Sequence, residues 1–164
     1  MKRVSAWAGR LVLAALLIVS AAPASARDRS REFGYQGWGP RVGLSINPDQ
    51  VVVGAHMDLG DIIAYRLRFQ PSAEVGIGDD ATVIQFDANF QYHFDRDWDV
   101  WRPYAGGSIG LVSVSRDKGE DSSDLGLSAS AGIEKNIGNN GFFIEGKIGI
   151  EDTPDWKFFV GWIF

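Results

Sequence analysis

The residues equipped for chemistry are few. The chain has two histidines, His56 and His93, and no cysteine, so thiolate nucleophiles, thiolate metal sites and disulfides are all excluded. Acyl-transfer chemistry needs a base beside a hydroxyl nucleophile and a carboxylate to orient the base. Neither histidine lies in a His-x-Ser arrangement. A metal centre would have to be assembled from the two histidines with Asp58 or Asp87, with no ligand spacing to support it. Asp79, Asp80, Asp117, Glu120, Asp121, Asp124, Glu151, Asp152 and Asp155 cluster in turn-like segments, and no calcium-loop spacing links them. No catalytic, cofactor or metal site is therefore expected, and the acids are read as solvating turns.

The elements that would carry these side chains begin after a different kind of segment. Lys2, Arg3 and Arg10 give a positive start, Leu11 to Ala22 is apolar apart from Ser20, and Ala24-Ser25-Ala26 offers a small-x-small cleavage pattern. The apolar run is too short for an ordinary membrane helix. Residues 1–26 are expected to be a cleavable signal peptide and 27–37 a short extension. A 38–164 domain follows. Losing Lys2, Arg3 and Arg10 takes the formal charge from −5 to −8, and an acidic exported chain is a poor partner for nucleic acid.

After residue 26 the dominant signal is period-2 alternation with turn residues between. It predicts eight strands, at 38–46, 51–59, 65–77, 82–94, 101–114, 125–135, 142–150 and 156–164. One face carries Leu67, Phe69, Pro71, Ala73, Val75 and Ile77 in the third strand and Ile84, Phe86, Ala88, Phe90, Tyr92 and Phe94 in the fourth. The other carries Arg66, Arg68, Gln70, Ser72 and Glu74, then Gln85, Asp87, Asn89, Gln91 and His93. Alternation alone fits a soluble barrel or sandwich with the apolar face inward, or a membrane barrel with it outward.

Three features favour the membrane barrel. By parity the polar face holds Arg41, Arg66, Arg68, Arg102, Lys147 and Lys157 against Asp58, Glu74, Asp87, Glu134 and Glu145, a near balance suited to charges that must pair in a confined interior. With both termini on one side, the apolar-face residues near that rim are Trp38, Tyr65, Phe94, Trp101, Phe142, Trp162 and Phe164, the makings of an interfacial girdle. The chain also closes on Trp156, Phe158, Val160, Trp162 and a terminal Phe164, with apolar residues at every second place.

That closing strand, with Trp101-Arg102-Pro103-Tyr104-Ala105-Gly106-Gly107-Ser108-Ile109-Gly110-Leu111, resembles the small bacterial outer-membrane β-barrel domains of the OmpA/OmpX type. Gly161 departs from the usual place of the closing strand's glycine. The resemblance implies an all-β fold, an eight-stranded antiparallel transmembrane up-and-down barrel in the outer membrane behind a cleavable signal peptide. It also implies contact with outer-membrane lipid and lipopolysaccharide, and handling by the outer-membrane assembly machinery. The function expected is structural and non-enzymatic, supporting envelope integrity. The lumen network is expected to comprise Arg66, Arg68, Glu74, Asp87, Glu134, Glu145, Lys147 and Lys157. Two alternatives remain open, a barrel that hydrolyses or transfers acyl chains of lipid A and a soluble periplasmic lipid-binding barrel with inverted faces.

Overall fold

The computed structural model describes residues 33–79, 81–94, 100–116 and 122–164. The expected signal peptide, the first part of the N-terminal extension, Asp80, Asp117, Glu120 and Asp121 lie outside the described residues. Eight strands follow in order: β1 (Gly37–Ile46), β2 (Gln50–Asp58), β3 (Leu67–Ile77), β4 (Ala81–His93), β5 (Trp101–Arg116), β6 (Ser122–Ile137), β7 (Asn140–Glu151) and β8 (Trp156–Ile163). Each pairs antiparallel with its neighbour in sequence, and β1 pairs with β8, so the sheet closes into a barrel. Closure matters because an open edge would leave a row of unpaired backbone groups. The seam is bonded to the end of the chain: Phe164 N donates to Trp38 O at 2.8 Å and Trp38 N to Phe164 O at 3.3 Å.

The strands form where the alternation is cleanest, and turns fall where the chain needs a left-handed residue. Asn47 (φ 54) takes that position after β1 and Gly138 (φ 63) between β6 and β7. Two differences from the sequence reading have physical causes. β5 and β6 run on to Arg116 and Ser122, with Ser113 opposite Ser123 and Val114 opposite Ser122. Their hairpin outlasts the apolar zone, so period-2 apolarity stops before the hydrogen bonding does. The third strand starts at Leu67, not 65. Tyr65 and Arg66 belong to the turn before it, where Arg66 has φ 70 and its amide donates to the Asp61 carboxylate at 2.9 Å.

The distribution of side chains is inverted relative to a water-soluble protein. Among the described residues, twenty polar or charged side chains are buried against seven apolar ones, and twenty-three large apolar side chains are exposed. The polar face of every strand points into the barrel. An inward-facing apolar pocket, as a soluble lipid-binding barrel needs, is not what this arrangement builds.

Candidate functional site

The interior is filled by networks of polar side chains. Glu74 on β3 is the hub of one: Lys157 Nζ from β8 lies 3.0 Å from its carboxylate, an Arg41 guanidinium nitrogen from β1 3.4 Å and Lys147 Nζ from β7 4.0 Å. Lys157 also donates to Gln85 Oε1 at 2.5 Å, Gln85 Nε2 donates to Asp87 at 2.8 Å, and Lys147 donates to the other Asp87 oxygen at 2.9 Å. These contacts form a closed circuit, from Glu74 through Lys157, Gln85, Asp87 and Lys147 back to Glu74. Strands β3 and β4 are thereby tied to β7 and β8 across the barrel.

A second carboxylate extends the circuit. Glu145 on β7 pairs with Arg41, and accepts from Gln91 Nε2 at 2.7 Å and from the Tyr104 hydroxyl at 3.1 Å. Arg41 therefore joins both carboxylates, with its guanidinium 4.2 Å from the Phe159 ring centre and 5.5 Å from that of Phe143. A planar guanidinium suits this place because it can bond at its edge while its faces lie against aromatic rings. Nearer the end that holds the termini, Arg68 bridges Glu134 at 3.0 Å and Asp58 at 3.3 Å, and Asp58 also accepts from Gly60 N at 2.9 Å.

Six of the eight residues expected in the lumen, namely Glu74, Asp87, Glu134, Glu145, Lys147 and Lys157, are buried there, and Arg68 is half-buried. Arg66 is placed elsewhere. It sits in the β2–β3 turn with its guanidinium 5.0 Å from the Tyr65 ring centre, because the strand begins one residue later. Arg41, Asp58, Gln85, Gln91 and Tyr104 complete the network and were not assigned to it from sequence. Parity had placed Arg41, Asp58, Gln85 and Gln91 on the correct face, but nothing in the linear pattern says which polar-face groups converge.

Apolar residues also enter the interior, which alternation did not reveal. Val52, Tyr104, Phe143, Phe159 and Ile163 form a buried cluster. Gly161 faces it. A Cβ there would lie 2.5 Å from Phe143 Cζ and 2.9 Å from Pro40 O, so packing against β7 and β1 accounts for glycine at this point in the closing strand. The interior thus has small residues where large ones reach across, consistent with eight strands enclosing only enough room for side chains.

Both histidines face inward. His56 is buried with its ring edge-on to Phe143, 5.1 Å between centres, and neither ring nitrogen makes a hydrogen bond. His93 stacks on Tyr104 at 5.1 Å. Among the described residues no group of three or more histidines and carboxylates is placed to hold a metal ion.

On the outer face the aromatic residues of the terminal end lie next to one another around the rim. Trp101 meets Phe142 at 6.2 Å, with Lys135 Nζ from the intervening β6 5.7 Å from the Trp101 ring centre, and Phe142 meets Trp162 at 5.0 Å. Phe164 meets Trp38 at 6.4 Å across the seam, and Phe94 meets Tyr92 at 5.4 Å on β4. Tyr65 is exposed in the β2–β3 turn. Above this rim the outer face is apolar, with Phe86, Ile109, Leu111, Leu125, Ile144, Ile148 and Phe158 all exposed.

No protein-family model matches the chain, and no curated protein matches it. Solved structures do. Neisserial surface protein A (NspA) superposes with a TM-score of 0.61 at 16% identity, covering 79% of this chain and 94% of that one. The N-terminal β-barrel domain of Pseudomonas aeruginosa OprF superposes with a TM-score of 0.55 at 13% identity, covering 79% of this chain and 98% of that one. Both are eight-stranded outer-membrane β-barrels, and this chain shares their fold.

Proposed function

We propose that the protein is an exported outer-membrane barrel whose role is structural, supporting envelope integrity without catalytic turnover. The observation that carries this reading is the inversion of the two faces: a closed barrel with charges paired inside and large apolar side chains outside is stable only where lipid replaces water around it. The rim holding the termini then lies at the periplasmic interface, and the acids of the opposite rim, Asp79, Asp152 and Asp155 in turns with Asp124 and Glu151 near the ends of β6 and β7, lie on the outer side. There they solvate the outer rim and add, as a weaker contribution, divalent-cation contacts shared with lipopolysaccharide phosphates. Residues 1–26 direct export, and the closing strand ending at Phe164 is the segment offered to the assembly machinery.

The interior supports a plug, not a diffusion pore, because the circuit through Glu74, Asp87, Lys147 and Lys157 spans the lumen. Planar-bilayer recordings of the wild-type protein should accordingly show no large, steady conductance. Membrane fractionation with heat-modifiable gel migration tests the location. A deletion strain is expected to lose resistance to detergent and chelator with lipid A acylation unchanged, and His56→Gln with His93→Gln should restore that resistance as well as wild type does. An acyl chain gained or lost only when either histidine is intact would replace this reading with a lipid A-modifying enzyme.

A further inference from the structure

The β2–β3 hairpin does not stop where its two named strands do. Leu59 N donates to Phe69 O at 3.0 Å and Phe69 N donates to Gly60 O at 2.9 Å, so Leu59 and Gly60 together face one residue of β3. This is a β-bulge, with Gly60 at φ 75 supplying the left-handed step. Beyond it Asp61 pairs with Arg68, and Ile62 N donates to Leu67 O at 2.8 Å. The bulge reverses the alternation. Counted on from the buried His56 and Asp58, Ile62 would face inward and Asp61 outward. With the extra residue, Asp61 falls opposite Arg68 on the polar face, and Ile62 falls opposite Leu67 on the apolar one.

The tip that follows is strained and well held. Ile63 (φ 66) and Arg66 (φ 70) both occupy left-handed backbone, which chains usually give to Gly, Asn or Asp and where a β-branched residue is an outlier. Ala64 N donates to Ile62 O at 2.6 Å, Leu67 N to Ala64 O at 3.1 Å, Arg66 N to the Asp61 carboxylate at 2.9 Å, and His93 N to Arg66 O at 3.0 Å. Ile63 is thus fixed in a costly conformation while 91% of its surface stays exposed. Tyr65 beside it is also exposed, with the Arg66 guanidinium 5.0 Å from its ring centre. Strain held at an exposed apolar residue is accounted for when that residue is buried in something outside the chain. The combination of an apolar tip, an amphipathic ring and a long cation is that of a membrane-interface anchor.

We infer that this tip is a lipid anchor. Ile62, Ile63 and Tyr65 enter the acyl–headgroup boundary of the leaflet at the terminal end of the barrel, and Arg66 lies at the depth of the lipid phosphates. The surface is continuous with the outer face of the barrel, because Ile62 and Leu67 prolong the row formed by Phe69, and the bulge is what keeps that row apolar. The inference rests on the outward-facing reading of that face.

The absence of cysteine allows unique labelling. The full mature chain carrying Ile63→Cys, labelled with an environment-sensitive fluorophore, is reconstituted in phosphatidylethanolamine–phosphatidylglycerol vesicles, with Phe158→Cys as the reporter for the barrel wall. The Ile63 label is expected to be quenched by lipids brominated near the headgroup and shielded from aqueous iodide, and the Phe158 label to be quenched by mid-chain bromines. Iodide access at residue 63 with lipid quenching at 158 overturns the anchor and leaves the membrane barrel standing. Iodide access at 158 overturns both. Protection of residue 63 from both quenchers, with 158 still lipid-quenched, shows that protein covers the tip and also overturns the anchor.

Discussion

Glu74→Ala is expected to destabilise the reconstituted barrel by about 3–5 kcal/mol, the range for breaking a buried ion pair by removing one partner. The cost arises because three cations share this carboxylate. Lys157 keeps Gln85, Lys147 keeps Asp87 and Arg41 keeps Glu145, so this cluster is left with three buried cations against two carboxylates. Replacing a cation at the same time should recover part of the loss: Glu74→Ala combined with Lys157→Met removes both ends of one pair, and apolar replacement of a whole buried pair is often neutral or better. Urea unfolding in vesicles, followed by heat-modifiable migration and tryptophan emission, measures both variants. A loss below about 1 kcal/mol for the single variant, the scale of a solvated surface pair, would mean that water already screens these charges and that the lumen is open.

Phe90→Arg is expected to cost about 2–4 kcal/mol in a bilayer, because it places a charge on the lipid face away from the interface. Phe90 faces outward on β4, opposite Gly107 of β5 and stacked 5.2 Å from Phe69 of β3, so these neighbours offer the new guanidinium no side-chain partner. The same substitution at Trp38, on the rim beside Phe164, is expected to cost only about 0–1 kcal/mol, because near the interface the cation reaches water and headgroups. Folding titrations in vesicles separate the two. Equal costs at positions 90 and 38 would remove the depth dependence that lipid imposes.

How much of this was legible in the sequence depended on how strictly each segment alternates. Along β3 and β4, apolar and polar residues alternate without a break from Leu67 to Ile77 and from Ile84 to His93, so the two faces could be read directly. In β8 both faces turn apolar at Phe158 and Phe159, and the inward place of Phe159 was hidden. Gly60 was the least legible residue. Its bulge resets parity beyond β2, so that Asp61 and Ile62 change faces, whereas Tyr65 and Arg66 were read as strand because they continue the alternation of β3 although they form a turn.

The interior was legible as a set but not as a network. Near-balance of charge on one face indicated that Glu74, Asp87, Glu134, Glu145, Lys147 and Lys157 needed partners. The pairings depend on how far the strands stagger around the barrel and on side-chain reach, and so Arg41 meets Glu145 and Glu74 from β7 and β3, neither of which adjoins β1. The aromatic rim needed less information, since knowing which connections lie beside the termini places Trp38, Trp101, Phe142, Trp162 and Phe164 at one end.

The most direct test of the account asks which residues touch lipid in the unaltered protein. A phospholipid bearing a diazirine in mid-chain is photolysed in vesicles containing the wild-type barrel, and adducts are located by mass spectrometry. Adducts are predicted on Phe86, Phe90, Ile109 and Phe158, with none on Gln85, Asp87, Glu145 or Lys157. Adducts on the second group with the first group spared would show that the apolar face is turned inward and would contradict the membrane barrel.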